Sequence, residues 1–549
     1  MKKINKNIRT LILALTIVMV SATGCGSFLD INTDPNNPLS SPSKLILPSI
    51  ESAIFESMGN GPAGLSDLTS QFVHQTTQRG PTNFYFVAGN EFNIANAWPN
   101  LYSSALMDIK QMIDKSTAIN SYHYLGVAQI LKAYIYSEMV DVWGNAAFTD
   151  FGLGTVNPFP KFDKGEDIYP ALFSLLNDAT NNLSQKTQEP LDAKNDLVFG
   201  GDATKWLQFA NSLKLKLYNN VRLTSLYDAT AVNAIIADNN MIGSVAGGFR
   251  LLYSSVNNPL NQHPLFTQDY VNANANYIDP YFWLIMKGDF ASYNVPVLNP
   301  ILVGITDPRI PYYFYNQLNA SETPQNATTS AYFDKSFLSI WFASFNIDPN
   351  EGFDQGQSQT LVGLYPAGGA FDDGKAVTGG VAAGQNPGLG GAGYQRLYPY
   401  LAHLYTRAEL SLTKGATGDP RALFLSAMNA SFAEVNDLAK SNPIADADRD
   451  AYTAAVMAKY DAANAAGKLE LILTEKWIAS FGFSVDSYTD YRRTGYPIMF
   501  DPATDNNPFT ILNRNYPVSL PYFTDDLQIN PNADPQRNPG SDKVFWDVN

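Results

Sequence analysis

The sequence predicts a mainly α-helical protein, in which paired helices form the body and one long irregular layer covers part of it. Three observations support this prediction. Apolar residues recur at helical spacing through most of residues 92–221 and again through 397–481. Between about 240 and 395 that spacing is rare, and residues 363–393 contain 11 glycines in 31 positions, a composition unsuited to a helix. The chain has 549 residues, 45% of them hydrophobic, which is enough to bury a large core.

The first predicted helical pair lies near residues 92–118 and 122–140. In the first segment apolar residues recur at helical spacing, as they do on the buried face of a helix, and the second is an apolar segment from Tyr122 to about Val140. Ser121 is a candidate N-cap for the second helix. Because only residues 119–121 separate the two segments, we expect the helices to be antiparallel neighbours.

Further helices are predicted later in the chain. Asp202 precedes a helix with Trp206 on its apolar face, and Asp419 starts another, since the proline after it suits the first helical position. Additional helices are expected near residues 397–412, 448–462 and 464–481. Repeated pairs of this kind predict a tetratricopeptide-like scaffold, although the sequence contains no clean repeat of about 34 residues.

The N-terminus resembles a bacterial lipoprotein signal. Four basic residues precede the apolar run Leu11–Val20, whose 10 residues are half of the roughly 20 that a membrane-spanning helix needs. Small residues follow, and then Cys25, the only cysteine of the chain. We expect cleavage before Cys25 and acylation of that residue, so that residues 1–24 are a signal peptide. Ala22 stands where Leu, Val or Ile is usual, and the alternative is an ordinary secretory signal beside a free cysteine.

The rest of the chain, residues 25–549, is predicted to be a single domain. Within it, residues 25–240 and 395–500 are expected to be mostly helical, and residues 240–395 form the irregular, loop-rich layer. Residues 501–549 are rich in Pro and Asn, so we expect them to wrap around the helical body.

The charge of the chain excludes one class of partner. Its formal net charge is −15 and its pI is about 4.7, whereas nucleic-acid binding rests on clustered Lys and Arg side chains. Charged residues make up only 16% of the chain, so much of its polarity comes from uncharged side chains. We therefore expect a surface suited to neutral ligands and no nucleic-acid partner.

The sequence carries no recognisable catalytic or metal-binding motif. Its four histidines are scattered, and no GxSxG, HExxH, P-loop or dinucleotide-binding pattern occurs. Asp446, Asp448 and Asp450 are spaced like calcium ligands, but Ala451 and Met457 stand where an EF-hand has Gly and Glu. We interpret these aspartates as an acidic helix N-terminus. The prediction is no catalytic residue, no metal and no cofactor, with a glycosidase formed by a carboxylate pair as an alternative.

Aromatic residues are the most informative candidates for a binding site. The chain has 7 Trp, 30 Tyr and 32 Phe residues. Sugars present apolar C–H faces edged by hydroxyl groups, so a sugar site needs flat aromatic side chains beside amides and carboxylates. Trp98, Trp283 and Trp341 stand near breaks in the helical pattern or in the irregular region, and we predict them as ligand contacts. Core packing is the alternative for each, and an extended peptide would suit the same surface.

Short motifs occur along the chain in an order typical of a known family. They are Cys25 with Phe28–Asp30, Thr33–Asn36, Gly201–Asp202, Lys205–Trp206, Phe209–Leu215, Met286–Phe290, Asp307–Arg309, Glu475–Trp477, Asp490–Pro497 and Val544–Asp547. Together they resemble the SusD/RagB family of outer-membrane lipoproteins of Bacteroidetes, and its SusD-like branch in particular. The chain departs from the family pattern at Pro517–Tyr522, which lacks a preceding Arg, and at Lys216, which stands where Arg is common.

The resemblance implies a SusD-like fold with tetratricopeptide-like helical pairs and an irregular ligand-binding layer. It also implies a lipid-anchored protein of the cell surface that covers a SusC-like TonB-dependent β-barrel transporter in the outer membrane. We therefore expect a non-catalytic protein that captures nutrient oligomers, with oligosaccharides as the leading class, and delivers them to that transporter. The alternatives are capture of peptides by a RagB-like protein, a surface glycosidase, and a structural helical-repeat scaffold. The resemblance transfers no ligand-contact residue to this chain.

Overall fold

The structure is a computed structural model that describes residues 41–61, 64–78, 85, 97–272, 276–290, 299–318, 337–343, 358–376, 387–499, 501 and 515–548. The predicted signal peptide, residues 1–24, and the predicted acylation site Cys25 lie outside the described residues. The motifs between Phe28 and Asn36 and parts of the predicted irregular layer also lie outside them.

Long helices dominate the N-terminal part. They are α1 (Ser43–Met58), α2 (Leu65–Phe72), α3 (Met107–Ala118), α4 (Tyr122–Trp143), α5 (Gly165–Leu183), α6 (Ala203–Asn220) and α7 (Ala229–Asp238). Helix α3 continues directly from a helical turn, Ala97–Asn100, and a π-helical segment, Leu101–Leu106. Short 3-10 turns lie at Gly154–Val156 and Val245–Gly247.

Short elements and loops make up the described part of the predicted irregular layer. The strands of the described chain are β1 (Thr76–Thr77), which lies before this layer in the sequence, β2 (Phe249–Leu252), β3 (Tyr277–Ile278), β4 (Phe314–Tyr315), β5 (Leu361–Val362) and β6 (Tyr394–Tyr398). They form three antiparallel pairs within the described chain: β1 with β3, β2 with β6, and β4 with β5. The helical segments are Pro264–Phe266, the π-helical Thr267–Val271, α8 (Pro280–Lys287), the 3-10 turn Pro300–Leu302, and Ile310–Tyr313.

Long helices return in the C-terminal part. They are α9 (Tyr400–Lys414), α10 (Pro420–Leu438), α11 (Asp446–Ala462), α12 (Ala465–Ala479) and α13 (Val485–Thr494), followed by the short α14 (Thr524–Ile529). The predicted fold class, mainly α-helical, is confirmed.

Two of the three predicted N-cap residues make capping hydrogen bonds in the structure. The carboxylate of Asp202 accepts hydrogen bonds from two backbone N–H groups in the first turn of α6, at 2.9 and 3.2 Å, and Asp419 accepts one at the start of α10. Ser121 occupies the N-cap position of α4, as predicted. Its hydroxyl donates to Glu189 at 3.1 Å and makes no capping hydrogen bond.

The helices pack in two series around a shared hydrophobic core. Each of α3, α4, α5 and α6 contacts the next, and so does each of α9, α10, α11 and α12. Helix α6 also contacts α9, which joins the two series. Trp206 of α6 is buried in this core, as predicted from its place on an apolar helix face, and Trp477 of α12 is buried there too.

A buried cluster of charges lies where α4, α6 and α13 meet. The ammonium group of Lys216 donates to the carboxylates of Glu138 and Asp486, to the latter at 2.6 Å. The three side chains are no more than 7% exposed. Burial alone would lower the pKa of Lys216, but the two carboxylates raise it above its usual value, so Lys216 is protonated.

A second buried charge joins the irregular layer to the helices. The guanidinium group of Arg309 donates to Asp307 at 2.6 Å and to Glu475 of α12 at 3.0 Å, and all three side chains are fully buried. The same group lies 4.9 Å from the ring centroid of Phe432 in α10. These three charged residues belong to the sequence motifs quoted above, and their role here is to hold the layer on the helices.

The described C-terminal segment, residues 515–548, lies across the end of α4 and the loop that follows it. The N–H of Leu520 donates to the carbonyl of Val142 at 2.9 Å. The side chain of Asn145 donates to Asp534 at 2.6 Å. These contacts bring α14 beside the loop of residues 144–164.

Candidate functional site

An open cleft of about 310 Å³ lies between the start of α3, the loop of residues 144–164, and α14. This volume falls within the range typical of small-ligand sites, roughly 300–1,000 Å³. Four aromatic side chains and a few polar groups line it: Tyr102, Phe151, Phe159 and Phe162, with Asn157, Asp526 and Asn530. The cleft therefore combines the two kinds of group that a sugar site needs.

Two of the aromatic side chains that line the cleft pack against each other: the rings of Tyr102 and Phe151 have centroids 5.1 Å apart. Two other apolar lining residues, Phe159 and Ile529, are 40% and 68% exposed. Exposed apolar residues that line one cleft often mark a binding surface.

The loop of residues 144–164, which carries the three phenylalanines of the cleft, is held by hydrogen bonds between side chains and its backbone. The carboxylate of Asp163 accepts from two N–H groups of the loop, at 2.7 and 3.2 Å. Asn530 and Asn532 donate to the carbonyls of Pro160 and Phe159, each at 2.7 Å. The position of Phe159 is thus fixed before any ligand arrives, which lowers the entropy lost on binding.

Trp98 lies directly behind the cleft and is fully buried. Its indole packs against Tyr102 and Phe162, at centroid distances of 5.2 and 5.8 Å. Its Nε1 donates to Oδ2 of Asp526 at 2.5 Å. Burial raises the pKa of Asp526, and the hydrogen bond from Trp98 opposes this rise. Trp98 therefore supports the aromatic surface and orients the carboxylate of Asp526.

The other two predicted tryptophans lie elsewhere, and neither lines the cleft. Trp283 is 3% exposed and stacks on Phe337, with centroids 4.5 Å apart. Trp341 is also 3% exposed and packs against Tyr281 at 4.9 Å. Core packing, the alternative interpretation, describes the surroundings of Trp98, Trp283 and Trp341 in the structure. Their role as ligand contacts stays a prediction.

The ligand contacts predicted from the sequence do not include Phe151, Phe159 or Phe162. A signal was present, because these aromatic residues alternate with Gly and Pro in the stretch FGLGTVNPFPKF and cannot all pack within one helix. The sequence does not reveal that α14 and Asn530 form the second wall of the cleft. Asn530 is 370 positions away from Pro160, the residue that it contacts.

Other candidates from the sequence have structural roles. Burial lowers the pKa of both His263 and His403 to about 3, so both are neutral. Asp446 begins α11, and Arg449 bonds to Asp446 and Asp450 at 2.7 Å, which fits the interpretation of these residues as a helix N-terminus. In the part of the chain that the structure describes, no group of three or more His, Cys, Asp or Glu residues could hold a metal ion.

The same described part contains no helix with the length and apolarity required to cross a bilayer.

Comparison with protein families gives two matches along the chain. Residues 35–345, more than half of the sequence, match a family described as starch-binding and associating with the outer membrane. Residues 404–536 match the family described as the SusD and RagB outer membrane lipoproteins. The chain belongs to the SusD/RagB family.

Solved SusD/RagB structures share the fold of this chain. A SusD/RagB family protein from Bacteroides thetaiotaomicron is 18% identical, with a TM-score of 0.65 over 93% of this chain and 99% of that one. A SusD homologue from Bacteroides fragilis is 16% identical, with a TM-score of 0.64 over 92% and 99% of the two chains. A chitin-binding protein is 18% identical, with a TM-score of 0.66 over 91% and 100%. Comparison with curated proteins gave no match.

These likenesses establish the SusD-like fold, with its tetratricopeptide-like helical scaffold. Membership of the SusD/RagB family places the chain among outer-membrane lipoproteins with a role in nutrient binding.

Proposed function

We propose that this SusD/RagB protein captures neutral oligosaccharides in the aromatic cleft and delivers them to a SusC-like TonB-dependent transporter. Acylated Cys25 anchors the protein at the cell surface. The observation that carries the proposal is the cleft itself, in which aromatic side chains, among them the exposed Phe159, stand beside amide and carboxylate groups.

The chemistry of the cleft suits a sugar ring. The apolar C–H face of a pyranose can lie on Phe151 or Phe159, and its hydroxyl groups can exchange hydrogen bonds with Asn157 and Asp526. Because Asp526 already accepts a bond from Trp98, the carboxylate is held in one orientation toward the ligand. A site with a single charged group favours a neutral ligand over a strongly charged one.

The alternatives fit this cleft less well. Extended peptides commonly bind by adding a strand to an exposed sheet edge, and none of the described strands lines the cleft. Glycoside hydrolysis commonly uses two carboxyl groups, and Asp526 is the only carboxylate among the described lining residues. The cleft therefore supports binding better than hydrolysis.

The change Phe159→Ala should weaken oligosaccharide binding about tenfold, which corresponds to roughly 1.4 kcal/mol of lost ring contact. Titration calorimetry with malto-oligosaccharides and N-acetylated chito-oligosaccharides measures this. The first series follows the family's description as starch-binding, and the second follows the chitin-binding structural neighbour.

Ile498→Ala is the matched control, because Ile498 is also 40% exposed but lies outside the cleft. It should bind like the wild type. If Phe159→Ala, folded by circular dichroism, kept wild-type affinity for every ligand that the wild type binds, the cleft would not be the capture site.

Anchoring and delivery can be tested together by purification from detergent-solubilised outer membranes. The wild type should bring a large β-barrel with it. Cys25→Ala, which cannot be acylated, should move to the soluble fraction and keep its affinity for oligosaccharides. Recovery of the wild type free of any barrel would contradict delivery, and a Cys25→Ala protein that stayed bound to the membrane would contradict the anchor.

A further inference from the structure

We infer that the aromatic cleft is the inner half of a longer groove, which continues over Gly152 onto the exposed face of α3 and takes an extended neutral oligosaccharide. This inference rests on the proposed function of the cleft and adds the length of the ligand. It also assigns a second subsite on α3.

The two halves are continuous in space. A second, shallower depression of about 600 Å³ runs along α3, where Asp108, Gln111 and Lys115 line it. Met107 and Gly152 line both this depression and the aromatic cleft. The shared residues form the boundary between the halves, so a chain leaving the cleft at this point enters the depression directly.

Gly152 keeps the boundary low. Its φ is +79°, a conformation that favours glycine. The stem of Lys110 lies directly on Gly152, so that a Cβ atom at this position would be only 2.5 Å from Cδ of Lys110. The ammonium group of Lys110 is 2.5 Å from the carboxylate of Asp114. A larger side chain at position 152 would push Lys110 into the boundary and close the passage between the two halves.

The outer half offers polar contacts with balanced charge. Asp108 and Asp114 carry two negative charges, and Lys110 and Lys115 carry two positive charges. Gln111 can both donate and accept a hydrogen bond, as sugar hydroxyls require. Such a surface has no preference for an anionic or a cationic chain, and it adds hydrogen bonds to a ligand whose first rings lie on the aromatic residues.

The test is a length series with two neutral glycans. Maltose is compared with maltohexaose, and diacetylchitobiose with hexa-N-acetylchitohexaose, by titration calorimetry. For the series that binds, we expect the wild type to bind the long member about tenfold more tightly than the short one, since about 1.4 kcal/mol of outer contacts suffices for that factor.

Gly152→Leu should close the passage. We expect it to bind the short member within about twofold of the wild type and to lose the gain with length. Gly304→Leu is the control for backbone strain, because Gly304 has a similar φ of +82°, has open space around it and does not line the groove. It should keep the gain with length.

Gln111→Ala leaves the backbone of the loop untouched and tests the outer half independently. It should reduce the affinity for the long member alone. Equal wild-type affinity for short and long members, with binding still sensitive to Phe159→Ala, would overturn the extended groove and leave the capture site standing. Unchanged length dependence in both Gly152→Leu and Gln111→Ala would also overturn it. If neither series bound, the proposed capture of these glycans would fail together with the groove.

Discussion

Replacing Lys216 by methionine should lower the free energy of unfolding by about 3–5 kcal/mol. The change keeps the length and apolar stem of the side chain but removes its charge. Glu138 and Asp486 would then face each other in the core without a cation between them. Urea denaturation followed by tryptophan fluorescence measures the effect, as a lower midpoint at an unchanged slope.

The size of this effect follows from burial. Burial raises the pKa of Glu138 above its usual value, and Lys216 is the main group that opposes this rise. Without Lys216, Glu138 either takes up a proton or stays charged in the core, and both outcomes cost free energy. Lys216 stands where the family commonly has Arg, and in this chain its ammonium reaches both carboxylates.

Lys214→Met is the matched control on the same helix. Lys214 is 8% exposed, close to the 5% of Lys216, but its ammonium donates to the neutral side chain of Asn177. Removing this ammonium leaves no buried carboxylate without its partner. We therefore expect the free energy of unfolding to fall by about 1 kcal/mol or less. Similar losses of unfolding free energy in Lys214→Met and Lys216→Met would contradict the role of the Lys216 charge. Adding Glu138→Gln to Lys216→Met should recover part of the stability.

Replacing Arg309 by leucine should destabilise the protein by a similar amount, about 3–5 kcal/mol. Asp307 and Glu475 would be left as buried charges without their cation. Because Arg309 joins the irregular layer to α12, we expect the layer to loosen first. Limited proteolysis should cut residues 299–318 of the variant faster than those of the wild type, and urea denaturation should give the loss in free energy.

Arg421→Leu is the control for the loss of an arginine that bonds a carboxylate. Arg421 donates two hydrogen bonds to Asp461, at 2.7 and 2.8 Å, but both side chains are about half exposed. Exposed pairs of this kind contribute about 0–1 kcal/mol, so the variant should resemble the wild type. An Arg309→Leu protein as stable and as protease-resistant as Arg421→Leu would show that the buried contacts do not hold the layer.

Local signals in the sequence predicted the helical part of the fold. The period of apolar residues located α6, whose apolar positions are buried along its length. Asp202 and Asp419 marked helix starts because a capping carboxylate acts within its own first turn. Ser121 marked the start of α4, but its hydroxyl donates to Glu189, distant in sequence, and makes no capping hydrogen bond.

The aromatic cleft, in contrast, could not be predicted from local signals in the sequence. An aromatic residue near a pattern break can face solvent or the core, and its own sequence does not decide which. Trp98 is buried because Tyr102, Phe162 and Tyr522 surround it, and these come from three separate parts of the chain. The cleft was missed for the same reason, since its second wall is brought by α14.

The position of α14 has a consequence for the order in which the protein matures. Asn530 and Asn532 fasten the loop to the C-terminal segment across 370 or more positions of the chain, so these contacts can form only after the last part of the chain has been synthesised. The cleft is complete only once the C-terminal segment has docked, and a chain that ended before α14 would lack one wall of the cleft.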